Sequence, residues 1–228
     1  MSQVEVSTAR REKRRSFLKY AAAAAASASA FGVDVDGLKL PQAFAQAAAV
    51  DVGSGDFGIL NYAYALEQLE AAFYTQVLAT PYRGMSAYEE QILTGIRDHE
   101  ITHRNTFATL LTILAIPSLT PNFSRVNFNS RASVLGTAQA FEDLGVSAYN
   151  GGGQYLSNPL FLALAGSIVS VEARHAALIR DMLRPHSSYF AGDDIVDRDG
   201  LDVARLPSQV LPIAAPYVAT PLSASSLP

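Results

Sequence analysis

Twice along this chain a glutamate is followed seven residues later by a tyrosine, and further on by a Glu-x-x-His unit. The first set is Glu67, Tyr74, Glu100 and His103; the second is Glu142, Tyr149, Glu172 and His175. The chain has four histidines in 228 residues, and these units use two of them. Residues three apart on an α-helix lie within about 60° of each other on one face. Glu100 and His103 therefore point the same way, as do Glu172 and His175. Seven residues is nearly two turns, which sets Tyr74 beneath Glu67 and Tyr149 beneath Glu142. The doubling asks for four helices, two giving Glu-x-x-His and two giving one inward glutamate.

The rest of the sequence supplies those helices. Ile59, Leu60, Ala63, Leu66, Leu69, Phe73 and Val77 recur at helical spacing, predicting a helix from Asp56 to about Thr80, ended by Pro81. Ser86-Ala87-Tyr88-Glu89 is a capping box for a second helix that runs to about Ala115 before Pro117. Residues 116–132 hold Pro117, Pro121 and several Asn and Ser, with no helical pattern. A link of that length lets helices two and three run parallel. A third helix is expected from about Ser133 to Leu156, its last turns weakened by Gly151-Gly152-Gly153. Asn158-Pro159 opens a fourth, which reaches about Arg184. No strand pattern is convincing. The expected fold is an all-α four-helix bundle over residues 48–185 with a long crossover between helices 2 and 3.

Residues 186–228 change character. Pro207, Pro212, Pro216, Pro221 and Pro228 exclude a long helix, so an irregular tail is expected, with Leu206 to Tyr217 apolar enough to pack along the bundle. Asp193 to Gly200 spaces its aspartates somewhat as a calcium loop does. It lacks the closing glutamate, and Ile195 and Val196 interrupt the polar spacing, so it reads as a plain acidic loop.

The absence of cysteine excludes zinc–thiolate sites, iron–sulfur clusters, disulfides and cysteine nucleophiles. Any metal must be held by oxygen and nitrogen. A carboxylate can bridge two cations, and a neutral imidazole supplies one terminal nitrogen. Glu67, Glu100, His103, Glu142, Glu172 and His175 together make the donor set of a carboxylate-bridged dinuclear centre. Tyr74 and Tyr149 could each hydrogen-bond a carboxylate of the facing helix, or be ordinary core aromatics. Glu70, one turn after Glu67, is a rival ligand. Glu67 is preferred because Tyr74 then mirrors Tyr149, which leaves Glu70 a supporting group or an added ligand. His99 and His186 read as surface or loop residues. The bland alternative is a bundle that keeps its inward polar residues without filling them. Four carboxylates facing one another would then repel, and would rise in pKa unless cations or protons neutralised them.

The N-terminus points to export. Arg14-Arg15-Ser16-Phe17-Leu18-Lys19 precedes an alanine-rich run from Tyr20 to Phe31, the pattern of a twin-arginine signal peptide read by the Tat export machinery. Cleavage could follow Ala30, Ala45 or Ala47, the later pair being preferred. The run is too short and alanine-rich to span a bilayer comfortably, and no stable membrane span is expected in the mature chain. Residues 1–47 hold seven Lys/Arg and four Asp/Glu, which leaves ten and seventeen, a net charge of −7. An acidic, exported chain is a poor match for nucleic acid. The expected location is periplasmic or extracellular.

Leu60-Asn61 through Glu67 to Phe73-Tyr74, and Val171-Glu172-Ala173-Arg174-His175-Ala176-Ala177, resemble the ferritin-like superfamily. More closely, they resemble the exported ferritin-like domain of bacterial and plant desiccation-related proteins, over roughly residues 55–185. In relatives such as bacterioferritin and rubrerythrin matching residues bind two irons, and manganese catalases place two manganese ions in a similar bundle. The resemblance implies oxidase, peroxidase or catalase chemistry on peroxide or dioxygen, or else a non-catalytic stress or metal-storage bundle. Bacterioferritin has an aspartate before the Glu-x-x-His glutamates, supporting a ligand histidine; those places hold His99 and Val171 here. Iron against manganese, the substrate and a homo-oligomeric state stay open.

Overall fold

The computed structural model describes residues 49–228. The leader, residues 1–47 with its alternative cleavage points, lies outside the described residues. Four long helices dominate: α1 (Gly55–Ala79), α2 (Ala87–Leu111), α3 (Arg131–Gly153) and α4 (Pro159–Leu183). The local signals act where the sequence puts them. Ser86 accepts a hydrogen bond from the Glu89 amide while the Glu89 carboxylate accepts from the Ser86 amide, satisfying free donors at the start of α2. Asn158 caps α4 at the Leu160 amide, with Pro159 in the first turn.

Side-chain pairings define the topology. Asn61 near the start of α1 meets Leu114 and Ile116 beyond the end of α2, so these two helices are antiparallel. Tyr74 of α1 reaches Glu142 of α3, and Tyr149 reaches back to Glu67, so α1 and α3 are antiparallel too. It follows that α2 and α3 run parallel, as the long link allows. That crossover, residues 112–130, is held by the polar side chains of α1. The buried Asn61 side chain donates to the Leu114 carbonyl and accepts from the Ile116 amide, both at 2.9 Å, and Gln68 accepts from the Leu119 amide at 2.8 Å. Further along, Phe123 and Phe128 pack on the fully buried Phe73 of α1.

The interior is two apolar layers. One gathers Phe73, Leu93, Ile96, Leu135, Phe141 and Ile179, and the other gathers Leu60, Phe107, Leu111, Ala165 and Ile168. The polar middle of all four helices lies between them. Of the described helices, α4 alone is long and apolar enough to cross a membrane, yet it turns Glu172, His175 and Arg180 into the protein interior.

Three features depart from the sequence reading. First, α3 runs through Gly151 and Gly152, as expected, but ends at Gly153, short of the expected Leu156. A Cβ at Gly151 would sit 1.8 Å from the Arg205 carbonyl oxygen, so glycine is required where the tail crosses the helix. There the Arg205 amide donates to the Ser147 carbonyl at 2.9 Å. Second, the tail contains a short helix, α5 (Pro207–Ala214), whose Val210 and Ala214 join the core against α3. Third, two residues near each end of the described segment pair in parallel, β1 (Val50–Asp51) with β2 (Leu222–Ser223), a strand contact too short to leave any alternating pattern. Within the acidic loop, Asp194 pairs with Arg180, and Asp197 accepts from the Asp199 and Leu201 amides. These aspartates are engaged with protein.

Candidate metal centre

Glu67, Glu100, His103, Glu142, Glu172 and His175 meet at one buried point between the two apolar layers. All four glutamates are fully buried, and the two histidines nearly so. The groups form two overlapping sets. In one, ligand atoms of Glu67, Glu100, Glu172 and His103 lie within 4.8 Å of one another; in the other, those of Glu142, Glu100, Glu172 and His175 do. Glu100 and Glu172 belong to both, while Glu67 and Glu142 each belong to one. A carboxylate shared by two sets is placed to bridge, and one confined to a single set is placed to be terminal.

The distances follow the same twofold pattern. His103 Nδ1 lies 2.8 Å from Glu172 Oε1 and 3.5 Å from both Glu67 Oε2 and Glu100 Oε2. His175 Nδ1 lies 2.9 Å from Glu100 Oε1, 3.5 Å from Glu142 Oε2 and 3.8 Å from Glu172 Oε2. Close as these atoms are, none makes a directed hydrogen bond. Eight buried donor atoms here have no hydrogen-bond partner: Glu67 Oε2, Glu142 Oε2, both oxygens of Glu100 and of Glu172, and Nδ1 of each histidine. Buried polar atoms are nearly always satisfied, so such a cluster asks for something to fill it.

The outer oxygens are satisfied. Tyr74 donates to Glu142 Oε1 and Tyr149 to Glu67 Oε1. Each terminal glutamate thus has one oxygen clamped by a phenol of the opposite helix and the other aimed inward. The seven-residue spacing produces this, because Tyr74 and Glu67 share a face of α1, and Tyr149 and Glu142 share the facing side of α3.

Glu70 joins neither set. It is buried, and its Oε1 rests 3.2 Å from where a Cβ on Gly145 would be, on α3. Glu67 and Glu142 are matched positions, and so are the residues three further on, Glu70 and Gly145. One helix brings a fifth carboxylate and the other leaves the space for it.

Protons respond to this crowding. Burial pushes the Glu67 and Glu70 carboxyls well above the ordinary range, with Glu172 and Glu100 adding repulsion. Burial likewise lifts Glu142 to about 8. Burial would also raise Glu100, but the adjacent His103 and His175 outweigh it and bring this group down to about 2. Burial alone would lower both histidines; the surrounding carboxylates reverse that and hold each up to about 12. Without a cation, the crowded carboxylates and histidines hold on to protons.

Two divalent cations could do the same work. They would balance the four carboxylates of the two sets, and the donors are the oxygens and imidazole nitrogens that iron and manganese accept. Glu70 would be left over, and its burial, which remains when the other carboxylates are balanced, favours a neutral carboxylic acid there.

One contact here was not read from sequence. His99 is exposed on α2, as expected, but its Nδ1 is 2.8 Å from Nε2 of His175. Its position immediately before Glu100 was the available signal.

A comparison with curated proteins returns no match. A family model described as a ferritin-like domain matches residues 55–185, from the first residue of α1 to two residues past α4. The matched segment is more than half the chain and contains every member of both donor sets, and the chain belongs to the ferritin-like domain family.

Proposed function

We propose that this protein holds two iron or manganese ions in the buried centre and uses them in redox chemistry with peroxide or dioxygen. The reading extends to an exported stress-protection role, with residues 1–47 directing passage through the twin-arginine pathway to the periplasm or beyond. The observation that carries the metal assignment is the set of eight orphaned donor atoms, divided into two groups of four that share Glu100 and Glu172. Glu67 and His103 would be terminal ligands at one position, Glu142 and His175 at the other.

Bound metal would supply a Lewis acid that takes up the oxidant and exchanges electrons with it. The chain's own residues set the conditions. Tyr74 and Tyr149 hold the terminal carboxylates in one orientation, so that only their inner oxygens are free to shift. Glu70 lies over Gly145 next to the shared carboxylates, where burial, the largest cause of its raised pKa, favours a carboxyl that holds a proton. Beside Tyr149 lies an apolar cavity of about 20 Å³, lined by Leu60, Ala63, Leu66, Phe107 and Ala148. It has room for one molecule about the size of water, and its apolar walls suit dioxygen better than the strongly polar peroxide.

The test is metal analysis of protein purified from its native compartment, followed by peroxide- and oxygen-consumption assays. About two iron or manganese ions per chain, with turnover lost in Glu100→Ala, is the expected result. Metal without turnover would leave a storage role. A folded protein that takes up no metal when offered it would mark a non-catalytic stress bundle and end the proposal.

A further inference from the structure

We infer that His99 is a positioning residue for this centre: it accepts a hydrogen bond from Nε2 of His175 and holds that ring with its Nδ1 lone pair facing the metal position. The inference rests on the two-metal reading above. The two rings are 9° from parallel with centroids 5.1 Å apart, while the nearest nitrogens are 2.8 Å apart. Rings stacked face to face would bring their centroids much closer than that. These two meet edge to edge in nearly one plane, which is where the N–H and the lone pair of an imidazole lie.

The tautomers follow. Nδ1 of His175 faces Glu100, Glu142 and Glu172, so a metal there takes the Nδ1 lone pair. The ring proton must then sit on Nε2, and Nδ1 of His99 is the acceptor in line with it. His99 in turn carries its own proton on Nε2. A partner of this kind fixes the ring's orientation and strengthens the ligand.

The other half of the centre has no counterpart. The residue matching His99 in the second Glu-x-x-His unit is Val171, whose side chain has no hydrogen-bonding atom. Among the described residues, His103 has no hydrogen-bond partner for its outward nitrogen. The two metal positions have matching donors and unequal support, so the His175 position fills first and binds more tightly.

The test uses zinc(II), a diamagnetic probe, on the whole folded protein. Calorimetric titration gives the affinities, and ¹⁵N-histidine NMR identifies which ring responds at each step and which nitrogen carries its proton. The wild type should bind two ions in two steps, the first shifting His175, with a proton on its Nε2. His99→Leu should weaken that step about 10- to 100-fold and leave the His103 step unchanged. His99→Asn presents Oδ1 close to where Nδ1 stood and should restore the affinity. Because His99 is exposed, both variants are expected to fold. Equal affinity in His99→Leu, or loss in His99→Asn as large as in His99→Leu, would overturn the role of His99. Failure of the wild type to bind zinc would instead strike the two-metal reading.

Discussion

A carboxylate in a protein core stands or falls by what meets each of its oxygens. Glu67 and Glu142 show this most simply, one oxygen held by a tyrosine and the other left for a cation or a proton. Tyr74→Phe and Tyr149→Phe should each strand a buried oxygen and cost about 1–3 kcal/mol in the metal-free protein, measured by urea unfolding. Tyr62→Phe is the contrast. Tyr62 is as deeply buried, but its hydroxyl has no partner, so its removal should be neutral or stabilising. A loss at Tyr62 matching that at Tyr74 would show that aromatic packing, not the hydrogen bond, is being measured. The tyrosine clamps were legible in the sequence because two residues seven apart share a helix face whatever surrounds them. The seat of Glu70 was not, because it depends on how near α3 passes to α1 at Gly145. The reach of His99 was hidden for a related reason. Sequence marks it as polar and exposed, while its contact with His175 depends on the packing of α2 against α4.

Among the elements, helix starts were easier to read than helix ends. Ser86 with Glu89, and Asn158 with Pro159, act within a few residues of themselves, so their signals are complete in the sequence. The glycines of α3 carry two meanings that sequence cannot separate. Gly151 is pressed against the backbone at Arg205, whereas Gly136 on the same helix has open space around it and faces solvent. Gly136→Ala should therefore stabilise the protein by about 0.5–1 kcal/mol, through helix propensity alone. Gly151→Ala should destabilise it by about 1–3 kcal/mol, because the tail must move off the helix. Thermal melting of the two variants checks both signs. Two stabilised proteins would mean that the tail does not hold to α3 at Ser147. The tail was the least legible element. Its anchor is Arg180, buried in α4 and paired with Asp143 of α3 and Asp194 of the loop, a contact between residues distant in sequence. The helical turns of α5 begin at Pro207, a residue that in isolation reads as a break.

At the scale of the whole molecule, the centre is a cluster of charge enclosed by two apolar layers, and what neutralises it should govern stability. Without metal, Glu142 titrates near 8 in the fold against an ordinary value of 4.5, and Glu67 and Glu70 are shifted in the same direction. Between those limits the folded protein binds protons that the unfolded chain has released, so its stability falls as pH rises. His103 and His175, raised from 6.5 to about 12, add a loss of the same sign above pH 6.5. Glu100, lowered to about 2, acts oppositely, and its contribution is lost only as pH falls below 4.5. The metal-free protein should thus be most stable near pH 4.5 as far as this centre decides, weakening toward pH 8 by roughly 1 kcal/mol per pH unit for each extra proton held. Bound metal reverses the sign. Its donors must be deprotonated, so binding strengthens as pH rises and stability should rise with it. Urea unfolding at pH 5, 6, 7 and 8, with chelator and with manganese(II), should give two curves that diverge with pH. Metal-free stability that stayed level or climbed over this range would mean that the carboxylates are not crowded as described, and the case for a cation among them would lose its electrostatic basis.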